Sequence, residues 1–512
     1  MLIMFQGSGP NIETIEACKI KIAWLDASIE EDSEQPSATG AAATGTARND
    51  VLKEMSRLHL KMGDLYLERQ EPSLAAECYQ TSLEINPRQL AARMNLLKTI
   101  PGVTREDVLK SFLQGLLLEH PKDSSLYNKL GRVHFSIHEA DLALQCFRRA
   151  VEINPQDADS LYGLADIVQA AGDIKTATEY YRKAMTLQPV VHGPANKPAP
   201  DFSVLVFMAP LLGNTPVNYL MNSSSYERNI CPLFEDTVCD IERLKKGGQV
   251  ILNTISEADL CSAILPKVID LVDRLGLPVI NHPRKIQKTT RENILDVLQD
   301  VPKCRLGRVA RHVAGEPATA EALAAKIPFA LPVLARPTGT HGGERFEKIE
   351  NFEALADFIG QHPDADHYMI EYVDYKSADG HFRKYRFFFV DGQIMPYHLA
   401  IGDHWKVHHN TTNMADQQWM QDEEKAFLEN PQSVFTPENY ESLRAIQAAV
   451  GLEYFGVDCG LDRNGNLVVF EVNASMIVHP YNAAFPYKTP FVENIKRAFG
   501  AMLQKFAKPV TP

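Results

Sequence analysis

Phe455-Gly456-Val457-Asp458, the turn Arg463-Asn464-Gly465-Asn466, and Leu467-Val468-Val469-Phe470-Glu471-Val472-Asn473 decide the reading of this chain. Two apolar runs flanking an Asn/Gly-rich turn predict a β-hairpin. Side chains alternate along a strand, so Glu471 and Asn473 project from one face and Phe470 and Val472 from the other. With Asp458 on the facing strand, two carboxylates and an amide are expected to converge. Ionised carboxylates among apolar residues are costly unless paired or metal-bound, and an all-oxygen set suits Mg²⁺ shared with substrate phosphates. The hairpin is thus a candidate metal and nucleotide site; the alternative is an ordinary hairpin with exposed acids.

Upstream of it the pattern is α/β. Short apolar strands over 203–208, 250–252 and 277–280 alternate with helical stretches and predict a small parallel sheet, closed by Asn281-His282-Pro283. Gln287-Lys288-Thr289-Thr290-Arg291 then opens another helix. A strand over 333–336 leads into Pro337-Thr338-Gly339-Thr340-His341-Gly342-Gly343-Glu344, a glycine-rich loop whose backbone N–H groups can surround phosphate oxygens. The loop carries neither the Walker A pattern nor the dinucleotide fingerprint. Strands over 368–373 and 385–390 follow, the latter turning at Asp391-Gly392 into 393–398. A polar excursion over 402–430 and a helix over 436–450 precede the opening hairpin.

Taken in order, Arg336 at a strand end, the glycine loop, Ile370-Glu371-Tyr372-Val373, the Arg386 hairpin and Asp458 with Glu471-x-Asn473 resemble the ATP-grasp superfamily of carboxylate–amine ligases. The resemblance implies two subdomains gripping ATP over 314–506, behind a small pre-ATP-grasp α/β domain over 201–313. It implies that Asp458, Glu471 and Asn473 hold one or two Mg²⁺ ions bridging the ATP phosphates. Arg336 stands where the family commonly has a phosphate-contacting lysine, and Gly339, Gly342 and Gly343 form the phosphate loop, with Thr338 to Glu344 as a lid. Lys288 or Arg291 matches a further phosphate-binding cation. Glu371, Tyr372 and Val373 match the segment that meets the adenine edge, and Asp374 the ribose. Arg386 would bind the substrate carboxylate or its acyl phosphate, so Arg386 and Arg336 are the expected catalytic cations.

One position departs from the family. Many such ligases carry an arginine two residues before the first metal aspartate; here it is Gly456, so another group must hold the substrate carboxylate. His404, His408, His409 and His479 fit no zinc spacing and read as polar lining of the cleft. Cys459 reads as a buried core thiol.

The N-terminal half has a period. Pro87, Pro121, Pro155 and Pro189 recur at one constant interval, and Gly63 keeps step with Gly131, Ala75 with Ala143 and Ala177, and Tyr79 with Phe147 and Tyr181. Small residues let antiparallel helices approach, the aromatic fills the gap, and the proline ends the second helix. This resembles the tetratricopeptide repeat over 51–189. The second unit departs, with Leu97 and Leu109 at the small positions, so an interruption is expected near Pro101-Gly102. Residues 1–50 read as a flexible segment, with an unreadable helix over 12–25, and 190–200 as a linker. The repeats are expected to serve as a rigid or homodimerising arm, or as a groove for a peptide or protein.

With 512 residues the chain is too long for one core. Its net charge of -13 argues against general affinity for nucleic acid or anionic membranes, and its longest apolar runs are too short to span a bilayer. Eight scattered cysteines and no secretion signal point to reduced thiols in a cytoplasm. The expectation is a multidomain α plus α/β protein: a helical solenoid, a small α/β domain and an ATP-grasp fold. It would join a carboxylate to an amine with release of ADP and phosphate, on a peptide or protein brought by the repeats. A nucleotide-sensing scaffold and a phosphotransferase are the alternatives.

Overall fold

The computed structural model describes residues 14–34, 41–100, 102–211, 213–340, 345–407, 412–480 and 482–508. The chain divides into two compact units, Met1–Gln188 and Pro189–Pro512.

Among its described residues the first unit is built of helices, from Ile15–Glu34 to Ile174–Leu187, with consecutive helices in contact. The small and aromatic positions of the repeat do what their types predict. Ala75, Ala143 and Ala177 are wholly buried, and Tyr79, Phe147 and Tyr181 are buried beside them. A Cβ on Gly63 would stand 2.4 Å from the ring of Tyr79, and one on Gly131 would stand 2.9 Å from that of Phe147. The irregular second repeat is interrupted as expected: Leu90–Lys98 is short, and the next helix starts at Arg105 behind a Thr104–Asp107 capping box.

One expectation fails here. The stretch 28–50, read as flexible, is helical over 28–34 and 41–50, because Ile15–Glu34 and Ala41–Glu68 run through it. Alanine, abundant at 41–43, is the best helix former, and the second of these helices continues into the first repeat. Gly63→Ala is expected to destabilise this unit by about 1–2 kcal/mol through overpacking against Tyr79, although alanine is the better helix former. Gly500→Ala, in open space within Thr489–Ala507, should instead be neutral or stabilising. Urea unfolding of the two variants checks the contrast.

The second unit opens with a five-stranded sheet of β1 (Val191–Gly193), β2 (Ser203–Met208), β3 (Glu227–Pro232), β4 (Val250–Asn253) and β5 (Val279–Ile280). Its order is β1-β3-β2-β4-β5, parallel except for β1. β1 lies inside the stretch read as linker, and β3 was not expected. Next come β6 (Cys304–Leu306), β7 (Val309–His312), β8 (Val333–Pro337), β9 (Glu347–Ile349) and β10 (His367–Glu371). β7, β10, β8 and β9 form an antiparallel sheet in that order. The last strands are β11 (Phe382–Val390), β12 (Gln393–Gly402), β13 (Tyr454–Leu461) and β14 (Leu467–Asn473). They make a sheet ordered β12-β11-β13-β14-β6.

Two boundaries therefore move. β6 and β7, assigned to the small α/β domain by the 201–313 boundary, pair with β14 and with β10 in the later sheets. The helix expected to open at 287 is a single 3-10 turn, Gln287–Thr289, followed by Asn293–Leu298. The polar excursion contains a helix, Gln418–Glu429, whose Phe427 and Leu428 are buried.

The sheets share one packing logic. Tyr385, Phe387 and Phe389 of β11 enter a core with the Leu265–Leu275 helix of the parallel-sheet layer. Phe388 and Val390, on the opposite face, pack with Tyr454 and with Ile495 and Phe499 of Thr489–Ala507. The parallel-sheet layer is also stitched to the β13–β14 hairpin by polar groups. The Asn281 amide donates to the Tyr454 carbonyl at 2.6 Å and accepts from the Glu453 and Tyr454 N–H groups. Thr215 donates to the Ala474 carbonyl at 2.8 Å. Among the described residues no helix is long and apolar enough to cross a membrane.

Candidate active site

Antiparallel register places four side chains in one row across the last sheet: His398 on β12 faces Arg386 on β11, Arg386 faces Asp458 on β13, and Asp458 faces Glu471 on β14. Gly456 faces Asn473 one step along. The hairpin reading therefore holds, and Asp458, Glu471 and Asn473 come together.

Their charges are already answered. Arg386 donates to Asp458 through Nε (2.6 Å to Oδ1) and a terminal nitrogen (2.9 Å to Oδ2), and Lys384 Nζ stands 2.9 Å from Oδ2. Burial opposes ionisation of Asp458, but these two cations outweigh it and hold the carboxyl far below its usual range. Arg291 donates to Glu471 Oε1 at 3.0 Å, and Asn473 Nδ2 to the same oxygen at 3.2 Å. Burial again opposes ionisation, and Arg291 leads the charges that lower the Glu471 pKa. Asn473 Oδ1 accepts from the Ser475 N–H and hydroxyl, both at 2.6 Å.

The donor set fits Mg²⁺ by its chemistry. It is all oxygen, two carboxylates and an amide on neighbouring strands, and leaves further coordination to phosphates and water. Among the described residues no group of three or more His, Cys, Asp or Glu is arranged to hold a metal. Of the histidines read as lining, His404 is exposed and caps the Lys406 N–H, and His479 lies exposed at a cavity wall. His408, His409, Gly342 and Gly343 lie outside the described residues.

A cavity runs from this row between the two antiparallel sheets. Its lining combines apolar side chains, Leu306, Val309, Ile370, Val373 and Phe470, with the cations Arg291, Arg336, Lys384 and Arg386. Such a lining suits a ligand with an apolar base and charged phosphates. Arg336 is buried, donating through Nε to Thr340 Oγ1 at 3.0 Å and also to the Thr340 carbonyl, with its guanidinium over Phe346. Gly339 lines the same cavity at φ +71°, where L side chains are strained.

Three expected residues sit differently. Lys288 is exposed and off the cavity wall, so Arg291 is the cation that faces the acids. Asp374 is exposed, paired with Arg463 at 3.3 Å, and does not line the cavity. Glu371 and Tyr372 do line it, but the Glu371 carboxylate is held by the Arg308 side chain and N–H, with Arg305 nearby. Arg308 accordingly leads the causes that lower the Glu371 pKa. The carboxylate braces the crossing between sheets, where a Cβ on Gly307 would stand 2.4 Å from the Glu371 carbonyl.

Beyond the row lies a second cavity of about 860 Å³, lined partly by Tyr397, His398, Met476, His479 and Lys488. Met476 explains Gly456: a Cβ there would stand 2.4 Å from its Sδ. Where the family pattern has an arginine, this chain places a thioether. The Glu424 carboxylate, fully buried, accepts from Lys488 Nζ (2.9 Å), the Tyr487 hydroxyl (2.6 Å) and the Leu399 N–H (3.1 Å), and contacts His398 Nδ1. Lys488 also donates to His398 Nδ1 at 2.8 Å. Burial and the Lys488 charge push His398 down to about 4, leaving it neutral at pH 7.

Sequence reasoning missed Lys384, His398, the Glu424–Lys488 pair and Glu257, which lines both cavities. Lys384 had a signal, since it lies two residues from Arg386 and shares its face. His398 did not, because a register shift opposite Arg386 and Phe387 breaks simple counting along β12.

A fold of helical repeats followed by a mainly parallel sheet, an antiparallel sheet and a sheet antiparallel but for β6, with the acid–amide hairpin on the last, has the order that the sequence resemblance implies. Residues 27–189 match a family model described as tetratricopeptide repeat, and this segment carries those repeats. An uncharacterized protein, ycf37 of Pyropia yezoensis, is 34% identical over 64 residues; the match covers 12% of this chain and 36% of the relative, about a third of its length. Similar solved structures include D-cycloserine synthetase DcsG, at 15% identity over 60% of this chain and 99% of that one, TM-score 0.37. The ATP-grasp ligase PsnB, solved with a phosphomimetic precursor variant, Mg and ADP, is similar at 18% identity over 60% of this chain and 100% of that one, TM-score 0.37.

Proposed function

We propose that Pro189–Pro512 is an ATP-dependent ligase that phosphorylates a substrate carboxylate and passes the acyl group to an amine. The observation that carries this reading is that the wall bearing Asp458, Glu471 and Asn473 is common to both cavities, the smaller one with the cationic and apolar lining and the larger one. A group transferred from nucleotide to acceptor would cross that wall.

In this reading Arg291 and Arg336 bind phosphate oxygens, and the apolar side chains enclose the base. Asp458, Glu471 and Asn473 would hold Mg²⁺, whose chemistry there is to neutralise charge on the transferring phosphoryl group. Lys384 and Arg386, released from Asp458, orient the substrate carboxylate against that group. The carboxylate oxygen displaces ADP to give an acyl phosphate; the amine, once deprotonated to its neutral form, then forms the C–N bond as phosphate leaves with the C–O electron pair and the nitrogen gives up a second proton to solvent. Closure of the two sheets would exclude water from the intermediate. The repeats would supply a peptide or protein substrate.

The rival is a nucleotide-sensing scaffold, favoured by the engagement of both Asp458 oxygens with cations. Calorimetry with Mg·ATP followed by ADP release over a panel of acids, amines and peptides separates the two. The ligase reading expects binding and acceptor-dependent ADP release; binding without turnover on any acceptor favours the scaffold, and a phosphorylated product without amide favours a phosphotransferase. The same assay on a chain lacking 56–189 reads whether the repeats deliver the substrate.

A further inference from the structure

The parallel-sheet layer contributes one side chain to the shared wall. After β4 the chain turns so that the Glu257 N–H donates to the Gly213 carbonyl at 3.0 Å and the Glu257 carbonyl accepts from the Cys261 N–H at 2.9 Å. These bonds fix the backbone, and the Glu257 side chain lines both cavities, together with Lys384, Arg386, Asp458, Glu471 and Asn473. The layer itself is fixed to the hairpin through Asn281 and Thr215. Glu257 is therefore held in place from a segment far upstream of Asp458 and Glu471 in the chain.

What distinguishes Glu257 is its lack of a cation. Lys384 and Arg386 are paired with Asp458, and Glu471 is paired with Arg291. Among the described residues Glu257 has no ion pair, and the neighbouring Ala258 N–H eases its charge only slightly. Its surroundings are hostile to a bare negative charge. Burial first, then Asp259 and Glu471, push its pKa up to about 7, only partly offset by Arg291. A partly buried carboxylate without a partner is costly unless a ligand completes it, and the complement it lacks is a positively charged hydrogen-bond donor.

We propose that Glu257 receives the ammonium group of the amine acceptor, which enters through the larger cavity and is held at the wall shared with the nucleotide. The proposal rests on the ligase reading, and it deepens it by making the acceptor a primary amine recognised as a cation. A cavity of about 860 Å³ has room for an amine of peptide size. Asp458 and Glu471 do not compete for the ammonium: in the unliganded chain they are paired with Lys384, Arg386 and Arg291, and in the ligase reading they would be taken up by Mg²⁺.

The test uses the full chain and two probes of nearly the same shape, L-alaninamide, a cation at pH 7, and propionamide, which lacks the ammonium. Calorimetric titrations are run with and without saturating Mg·AMPPNP. Alaninamide is expected to bind the wild type at least about tenfold more tightly than propionamide, the worth of one charge-assisted hydrogen bond. Glu257→Gln is expected to bring the two probes within about twofold; Glu257→Ala is the second variant should the first fail to fold, with the thermal midpoint reporting folding. A wild type without preference for alaninamide, or a folded variant that keeps the tenfold preference, overturns the proposal. Failure of Mg·AMPPNP to bind the wild type would sink the ligase reading instead, and the nucleotide-free titrations would still report on Glu257.

Discussion

Replacing Glu471 with alanine is expected to lower ADP release at least about a hundredfold, with thermal stability unchanged or slightly raised. The kinetic loss follows from position. Glu471 faces Asp458 across the β13–β14 pair, and its carboxylate binds both Arg291 and Asn473. Its removal takes away one of two carboxylates available to Mg²⁺ and frees the cation that faces them, and the loss of one preorganised charge group costs about 10²–10³ in turnover. The stability outcome follows from the same crowding. Glu257 and Asp458 both feel Glu471 as a like charge, so its loss relieves repulsion even as it breaks the Arg291 pair. Functional sites commonly trade stability for activity in this way. Acceptor-dependent ADP release and a thermal melt measure the two arms, and undiminished turnover would remove the hairpin from the chemistry.

The second large effect lies in the buried cluster at the far wall of the larger cavity. Glu424→Gln is expected to destabilise the Pro189–Pro512 unit by about 3 kcal/mol, because it keeps the shape but leaves Lys488, largely shielded from solvent, without a counter-charge. The pair as a whole is worth far less than this, so Glu424→Gln combined with Lys488→Met should recover most of the loss. Urea unfolding of the three variants checks both statements, and a single-variant loss below about 1 kcal/mol would contradict the assignment of charge.

The same cluster makes the unit acid-labile. His398 has its pKa lowered from 6.5 to about 4, so the unfolded chain binds more protons below pH 6.5 and stability falls from there through about 4. Glu424 is lowered from 4.5 to about 2, so its contribution is complete above 4.5 and is lost as pH falls through about 2. Loss of stability should therefore begin near pH 6.5 and steepen below 4.5. In Glu424→Gln the lower of these two phases should be missing.

Much of this was legible because its determinants are local. The constant interval between repeats encodes which small and aromatic residues must meet, and Gly63 against Tyr79 is the contact that the spacing implies. Alternation along 467–473 placed Glu471 and Asn473 on one face, and the Asn/Gly-rich turn put Asp458 on the facing strand, without reference to anything distant; the pairing of Asp458 with Glu471 is a matter of register. The failures are of another kind. The helices through 28–50 were missed by reading small residues as unable to bury surface, when alanine's helix propensity and continuity with the first repeat prevail. Lys288 and Arg291 are alike in composition, and only the turn at Gln287–Thr289 decides that the arginine faces Glu471.

By itself, then, the sequence determined the repeat solenoid, the acid–amide hairpin and the order of elements around it, since each depends on spacing between near neighbours in the chain. Tertiary structure alone decided which strands are neighbours and which charges meet. Sheet order sets Arg386 between His398 and Asp458, docking through Asn281 and Thr215 brings Glu257 to the wall, and Met476 takes the space that Gly456 leaves. The physical reason is that periodicity fixes the face a side chain occupies, whereas its partner is set by pairings between segments far apart in the chain, which leave no periodic trace in it.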